Sequence, residues 1–156
     1  MAIVLVFLAV LLALLIVGWR ARRHRQSDIA APHPVPADQG KLIGTFTGKY
    51  VATTVAGEPF DRIAVHGLGF RGPVAVTAAE AGLAVKITGE DDIWISVGAL
   101  RGIRRATWTI DRVVETDGLH LIEWTLGDRT VDSYFRIDEP RAFEAAVRSM
   151  IERQTA

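Results

Sequence analysis

Acid–base or nucleophilic chemistry needs convergent polar side chains of particular types, and this sequence of 156 residues offers few. From Lys41 onward there are only two histidines, His66 and His120. His66 precedes Gly67 in what reads as a strand-end turn, with Asp61 close before it. A hydrolytic triad would also need an activated serine, and no G-x-S-x-G elbow supplies one. His120 shares the alternation of Ile122 and Trp124 and reads as a partly buried, hydrogen-bonded residue. Asp91 and Asp92 fall in a turn, where solvation accounts for them. There is no Walker A loop, no G-x-G-x-x-G and no H-E-x-x-H. Zero cysteines exclude a disulfide scaffold, Cys-ligated zinc, an iron–sulfur cluster and thiol catalysis. The expectation is a protein that is not an enzyme, with no cofactor and no metal site.

Binding chemistry has two sets of candidates. Arg101, Arg104 and Arg105, followed by Arg112, form the one basic cluster after the amino terminus. They read either as a site for a phosphoryl headgroup or as edge-strand charges that discourage sheet-to-sheet association. Residues 41–156 carry fourteen Lys and Arg against sixteen Asp and Glu, a net of −2. That balance opposes strong attraction to an anionic leaflet, and the neutral chain as a whole gives no reason to expect nucleic acid. The first hairpin loop, Val55 to Phe60, carries an acid and no base. The second set is aromatic. In Ile93-Trp94-Ile95-Ser96-Val97 the aliphatic positions share one face and turn Trp94 outward; Tyr134 is turned outward between Asp132 and Arg136. An exposed Trp and Tyr would serve as anchors for a protein partner. Burial of Trp94 would remove that site.

The elements that carry these residues are mostly strands. Short alternating stretches separated by Gly, Asp, Glu and Pro predict antiparallel strands near 43–54, 61–67, 73–79, 82–88, 92–97, 103–110, 119–126 and 130–137. Trp108 and Ile110 oppose Thr107 and Thr109; Val131, Ser133, Phe135 and Ile137 oppose Asp132, Tyr134 and Arg136. After residue 137 the period becomes helical, with Asp138 and Glu139 as capping acids before Pro140. Phe143, Val147, Met150 and Ile151 form one stripe, with Ala146 beside them. The outline is a pleckstrin-homology (PH)-like seven-stranded antiparallel barrel, or two orthogonal sheets, capped by one C-terminal α-helix.

The amino terminus differs in kind. Residues 1–19 hold thirteen Leu, Ile, Val or Phe and no charge. As a helix the run is roughly 28 Å long, close to the hydrocarbon thickness of a bilayer. It reads as a transmembrane anchor in the lipid bilayer. Trp19 would sit at headgroup level, and Arg20, Arg22, Arg23 and Arg25 would hold the following chain in the cytoplasm with the N-terminus outside. A cleaved secretory signal would want its basic residues before the apolar run. Ala9 and Ala13 have the spacing that lets two anchors pack as a weak homodimer, a spacing that Ala/Leu-rich segments produce easily. Residues 20–40 read as a basic juxtamembrane segment and a linker containing Pro32, Pro34 and Pro36. Such a linker is extended and can hold the 41–156 domain off the membrane. His24 and His33 in this stretch read as solvated.

The segments Gly48-Lys49-Tyr50-Val51-Ala52-Thr53-Thr54, Asp61 through Arg71 with its His-Gly-Leu-Gly element, and Asp132-Ser133-Tyr134-Phe135-Arg136 carry a resemblance. Together with the anchor, the chain resembles the actinobacterial single-pass membrane proteins with a cytoplasmic bacterial PH-like domain. Members are often labelled transporter or membrane protein and often lie beside pyrimidine-biosynthesis genes. The resemblance implies a fold and a topology at the inner (plasma) membrane, and carries over no functional residue. The expected function is a membrane-anchored, non-enzymatic adaptor that binds a protein partner. The alternatives are a lipid-headgroup-binding domain and an accessory subunit of a transporter.

Overall fold

The computed structural model describes residues 2–106, 108, 109, 112, 113 and 118–155. It opens with helix α1, Ala2–Arg25. Its side chains from Ile3 to Gly18 are all exposed, on every side of the helix. The helix does not stop at Trp19 but continues through the arginine run, which therefore extends the rod instead of opening the linker. Among the described residues, no helix is long and apolar enough to cross a membrane.

Among the described residues ten strands follow: β1 Leu42–Val55, β2 Glu58–Arg62, β3 Gly72–Ala79, β4 Gly82–Ile87, β5 Ile93–Ser96, β6 Leu100–Ala106, β7 Trp108–Thr109, β8 Arg112–Val113, β9 Leu119–Leu126 and β10 Arg129–Ile137. A single 3₁₀ turn, Val97–Ala99, joins β5 to β6, and helix α2, Pro140–Thr155, closes the chain. Seven strands pair in the antiparallel order β5-β4-β3-β1-β10-β9-β6, with β2 added to β1, and β7 pairs with β8. The expected alternation around Trp108 and Ile110, and the side chains of Trp19, Arg22, Arg23, Arg25 and Arg112, lie outside the described residues.

β1 is the long strand that both halves share. It pairs with β3 from Leu42 to Tyr50 and with β10 from Gly48 to Val55. Where the two partners overlap the backbones come very close: a Cβ on Gly48 would lie 2.1 Å from the Arg136 carbonyl oxygen. Only glycine fits there. A bulge at Val51 then puts Val51 and Ala52 on the same side and turns the strand.

The inner faces meet α2. Phe143, Val147 and Met150 are fully buried, and the Phe143 ring stands edge-on to Phe46 at 5.3 Å. The helical stripe falls as its spacing predicts. The Asp138 carboxylate accepts the Thr47 hydroxyl at 2.9 Å and so ties the helix start to β1. The strand expected at 61–67 is also displaced. β2 ends at Arg62, and 63–71 is a folded loop that turns at His66 (φ 56°) and Gly67 (φ 73°) while burying Ile63 and Leu68 completely.

The largest departure concerns the linker. Residues 26–40 open with a turn at 26–29, closed by the Ile29 N–H donating to the Gln26 carbonyl, and then run strapped onto the domain. Gln26 donates its side-chain amide to the Arg62 carbonyl at 2.9 Å and accepts the Ala64 N–H at 2.8 Å. Ile29 is 3% exposed and belongs to the main core. Asp28 pairs with Arg129, the Trp94 N–H donates to the His33 carbonyl at 3.2 Å, and the Ala81 N–H donates to that of Gln39 at 3.0 Å. The expected free tether is therefore part of the folded body.

Candidate functional site

Three polar constellations lie within the sheet, and their geometry decides what each can do. The first is central. The Trp124 indole N–H donates to Ser133 Oγ at 2.9 Å; Ser133 lies 2.6 Å from Thr53 Oγ1, which lies 2.6 Å from the Tyr50 hydroxyl; Tyr50 donates to the Leu68 carbonyl at 2.9 Å. An indole can only donate and a carbonyl can only accept. The chain therefore runs one way, with each hydroxyl accepting one bond and donating one. Burial pushes the Tyr50 phenol far above its ordinary value. Ser133 is 2% exposed and its hydrogen is committed. The arrangement staples the 63–71 loop to β1, β9 and β10, and Ser133 is not an available nucleophile.

The second constellation lies under α2. His120 is buried, with Phe143 edge-on at 5.4 Å and the Glu144 carboxylate 4.0 Å from Nε2. Among the described residues neither ring nitrogen meets a partner at full hydrogen-bond geometry, although the Pro140 backbone lies close enough to favour the protonated ring. Burial, with the nearby Arg105 guanidinium, holds its pKa below the ordinary value. Glu144 instead accepts from Arg105 at 3.0 Å and from Arg148 at 2.8 Å, and these two cations hold its carboxyl low. No general base is poised toward solvent here.

The third constellation is on the outer face. Arg104 donates to Glu123 at 2.8 Å and lies 3.9 Å from Asp132, whose other oxygen accepts the Gly57 N–H at 3.3 Å. Burial raises the Asp132 carboxyl. Tyr134 beside it is 4% exposed and packs with Val51, Leu119 and Leu121 in a second, smaller core cluster. Tyr134 points away from the main core as its alternation predicts, but it is covered and is not a surface anchor.

The same correction applies to Trp94. It lies outside the main core cluster, yet it is only 7% exposed, because the strap crosses β5 at His33. The three arginines also do not form one basic cluster. Arg104 and Arg105 are neighbours on one strand and so face opposite sides. Arg104 pairs with Glu123, Arg105 with Glu144, and Arg101 donates to the Thr125 hydroxyl at 3.0 Å. Arg101 does line a cleft of about 430 Å³ between β5 and β9, together with Ala30, His33, Trp94, Trp124 and Leu126. Sequence reasoning missed this cleft because one wall is the strap. The sequence signals for it are weak: Ile29 and Val35, two aliphatic residues in a polar, proline-containing stretch. Among the described residues no group of histidines and carboxylates is arranged to hold a metal ion.

No curated protein matches the sequence. A solved structure titled "Vav1 inhibited by an allosteric inhibitor: Vav1 inhibitors block GEF activity" is similar over 72% of this chain, at 10% identity and a TM-score of 0.42. This chain spans only 27% of that one. The bacterial PH domain-like family matches residues 29–151, beginning at the buried Ile29 of the strap and ending about one turn before the end of the packed helix. The chain belongs to the bacterial PH domain-like family.

Proposed function

We propose that this protein is a membrane-anchored, non-enzymatic adaptor whose PH-like domain binds a protein partner at the cytoplasmic face of the bilayer. One observation carries the reading: α1 exposes apolar side chains on all sides from Ile3 to Gly18. A helix that is apolar all round needs an apolar surrounding. With Met1, Ala2 and Trp19 the apolar run reaches nineteen residues, near the roughly 20 that a span requires. The arginines on its inner side favour the domain in the cytoplasm. Pairing of the β6 arginines with acids or with Thr125 weighs against headgroup capture by that strand. A partner protein has the open cleft beside Arg101 to engage, flanked by β5 and β6 at the two ends of the strand order. Tethering then raises the effective concentration of the partner at the membrane without strong intrinsic affinity.

The test is fractionation of the full chain with a reporter fused after Ala156, followed by affinity capture from detergent. The expected result is retention in membranes washed with alkaline carbonate, a reporter that reads cytoplasm, and a co-purifying protein whose recovery falls on Arg101→Glu. Release by carbonate, or a reporter outside the cell, overturns the reading.

A further inference from the structure

Outside α1, three large apolar side chains are strongly exposed among the described residues: Leu42 at 60%, Phe60 at 72% and Phe70 at 57%. Leu42 begins β1. The two phenylalanines belong to the β2 segment and the 63–71 loop, beside the far end of β1, because Thr54 pairs with Arg62. That same segment is the one gripped by Gln26, whose side chain bonds the Arg62 carbonyl and the Ala64 N–H. Gln26 is the residue immediately after α1. The end of the apolar helix and the two exposed rings are thus fixed to one short stretch of backbone.

We propose that β2 and the 63–71 loop form a second membrane contact, with Phe60 and Phe70 entering the headgroup layer of the bilayer that α1 spans. The inference rests on the anchor proposed above. From Trp19 to Gln26 the helix rises roughly 10 Å at 1.5 Å per residue. The polar layer on each side of a bilayer is about 5–8 Å deep. Gln26 therefore sits a few ångströms beyond the outer edge of that layer, within reach of a phenylalanine side chain turned back toward it, and the strap leaves no slack to move the domain away. Exposed rings that reach back into the layer from there gain by partial burial. Glu58 and Asp61 flank Phe60 on the same exposed strand. The contact is accordingly apolar in character and should not weaken with salt.

The natural chain has no cysteine, so single labels are unambiguous. Four full-length variants, Val10→Cys, Phe60→Cys, Phe70→Cys and Ala145→Cys, each carry a polarity-sensitive fluorophore in phosphatidylcholine nanodiscs at one chain per disc. Ala145 is exposed on α2, which packs at the other end of β1 through Phe46. The expected result is blue-shifted emission and shielding from aqueous iodide at positions 10, 60 and 70, unchanged in high salt, with position 145 quenched freely. Positions 60 and 70 behaving like 145 while 10 is shielded overturns the second contact and leaves the anchor standing. Position 10 reading water overturns both. Shielding at 60 and 70 only when two chains share a disc assigns the patch to a second copy and likewise overturns the proposal.

Discussion

Helix α1 and the strap that follows it invert the usual relation between composition and burial. From Ile3 to Gly18 α1 is almost wholly aliphatic and every side chain is exposed. The strap is polar and proline-containing, yet it places Ile29 at 3% exposure in the main core and ties itself to β2, β5 and the β3–β4 turn. Burial within a fold follows from available partners, and hydrophobicity without a partner points outside the fold. The domain therefore begins at the end of α1 and has no free tether.

The contrast can be broken most forcefully at its two isoleucines. In detergent, Ile29→Ala should lower the stability of the domain by about 2–5 kcal/mol, the range for a buried aliphatic truncation. Ile16→Ala in α1 should leave the same unfolding midpoint unchanged. Equal effects in a denaturant titration would mean that strap and helix are not different in kind.

A second measurement sharpens the view of the packed body through its buried histidine. The pKa of His120 is lowered on folding, so the unfolded chain binds its proton more readily. The stability it protects is complete above the ordinary value of 6.5 and is lost as pH falls toward the folded value. Glu144, held low by Arg148 and Arg105, adds loss only at more acid pH, and Asp132, raised by burial, acts in the opposite direction. Unfolding midpoints should decline below pH 6.5, and His120→Met should flatten that first part of the decline. A profile identical in the variant would assign the decline to other groups.

The smallest effect belongs to the strap's exposed ion pair. Asp28→Asn should cost about 0.2–1 kcal/mol through loss of the Arg129 contact, and the difference should shrink in high salt. A salt-independent loss would place the strap's attachment elsewhere.

The parts of the fold that could be read from sequence are those with a local period. Alternation assigned the faces of β9 and β10 correctly, down to Ser133 inward and Tyr134 outward, and the stripe of α2 fell as spaced. Alternation states which way a side chain points and says nothing of what covers it. Trp94 and Tyr134 both point away from the main core and are both buried, Trp94 beneath a strap some sixty residues earlier in sequence. The 63–71 loop was hidden for a different reason: a strand-like composition is overruled by two consecutive residues in the left-handed region. Arg104 and Arg105 looked like a cluster because they are adjacent in sequence, the spacing that separates them across a sheet. Phe60 and Phe70 carry no signal until the grip of Gln26 shows where they lie relative to α1.

The bent, doubly paired strand β1 sets an order on biogenesis. It is made early, but the partner that completes the buried hydroxyl chain, Ser133 opposite Thr53, is eighty residues further on. The nascent chain must therefore wait with one edge of β1 open while most of the domain is still being translated. Long-range pairings of this kind fold slowly. If α1 has entered the bilayer by then, the waiting intermediate is held singly on a surface, where encounters between unfinished copies are limited by lateral density.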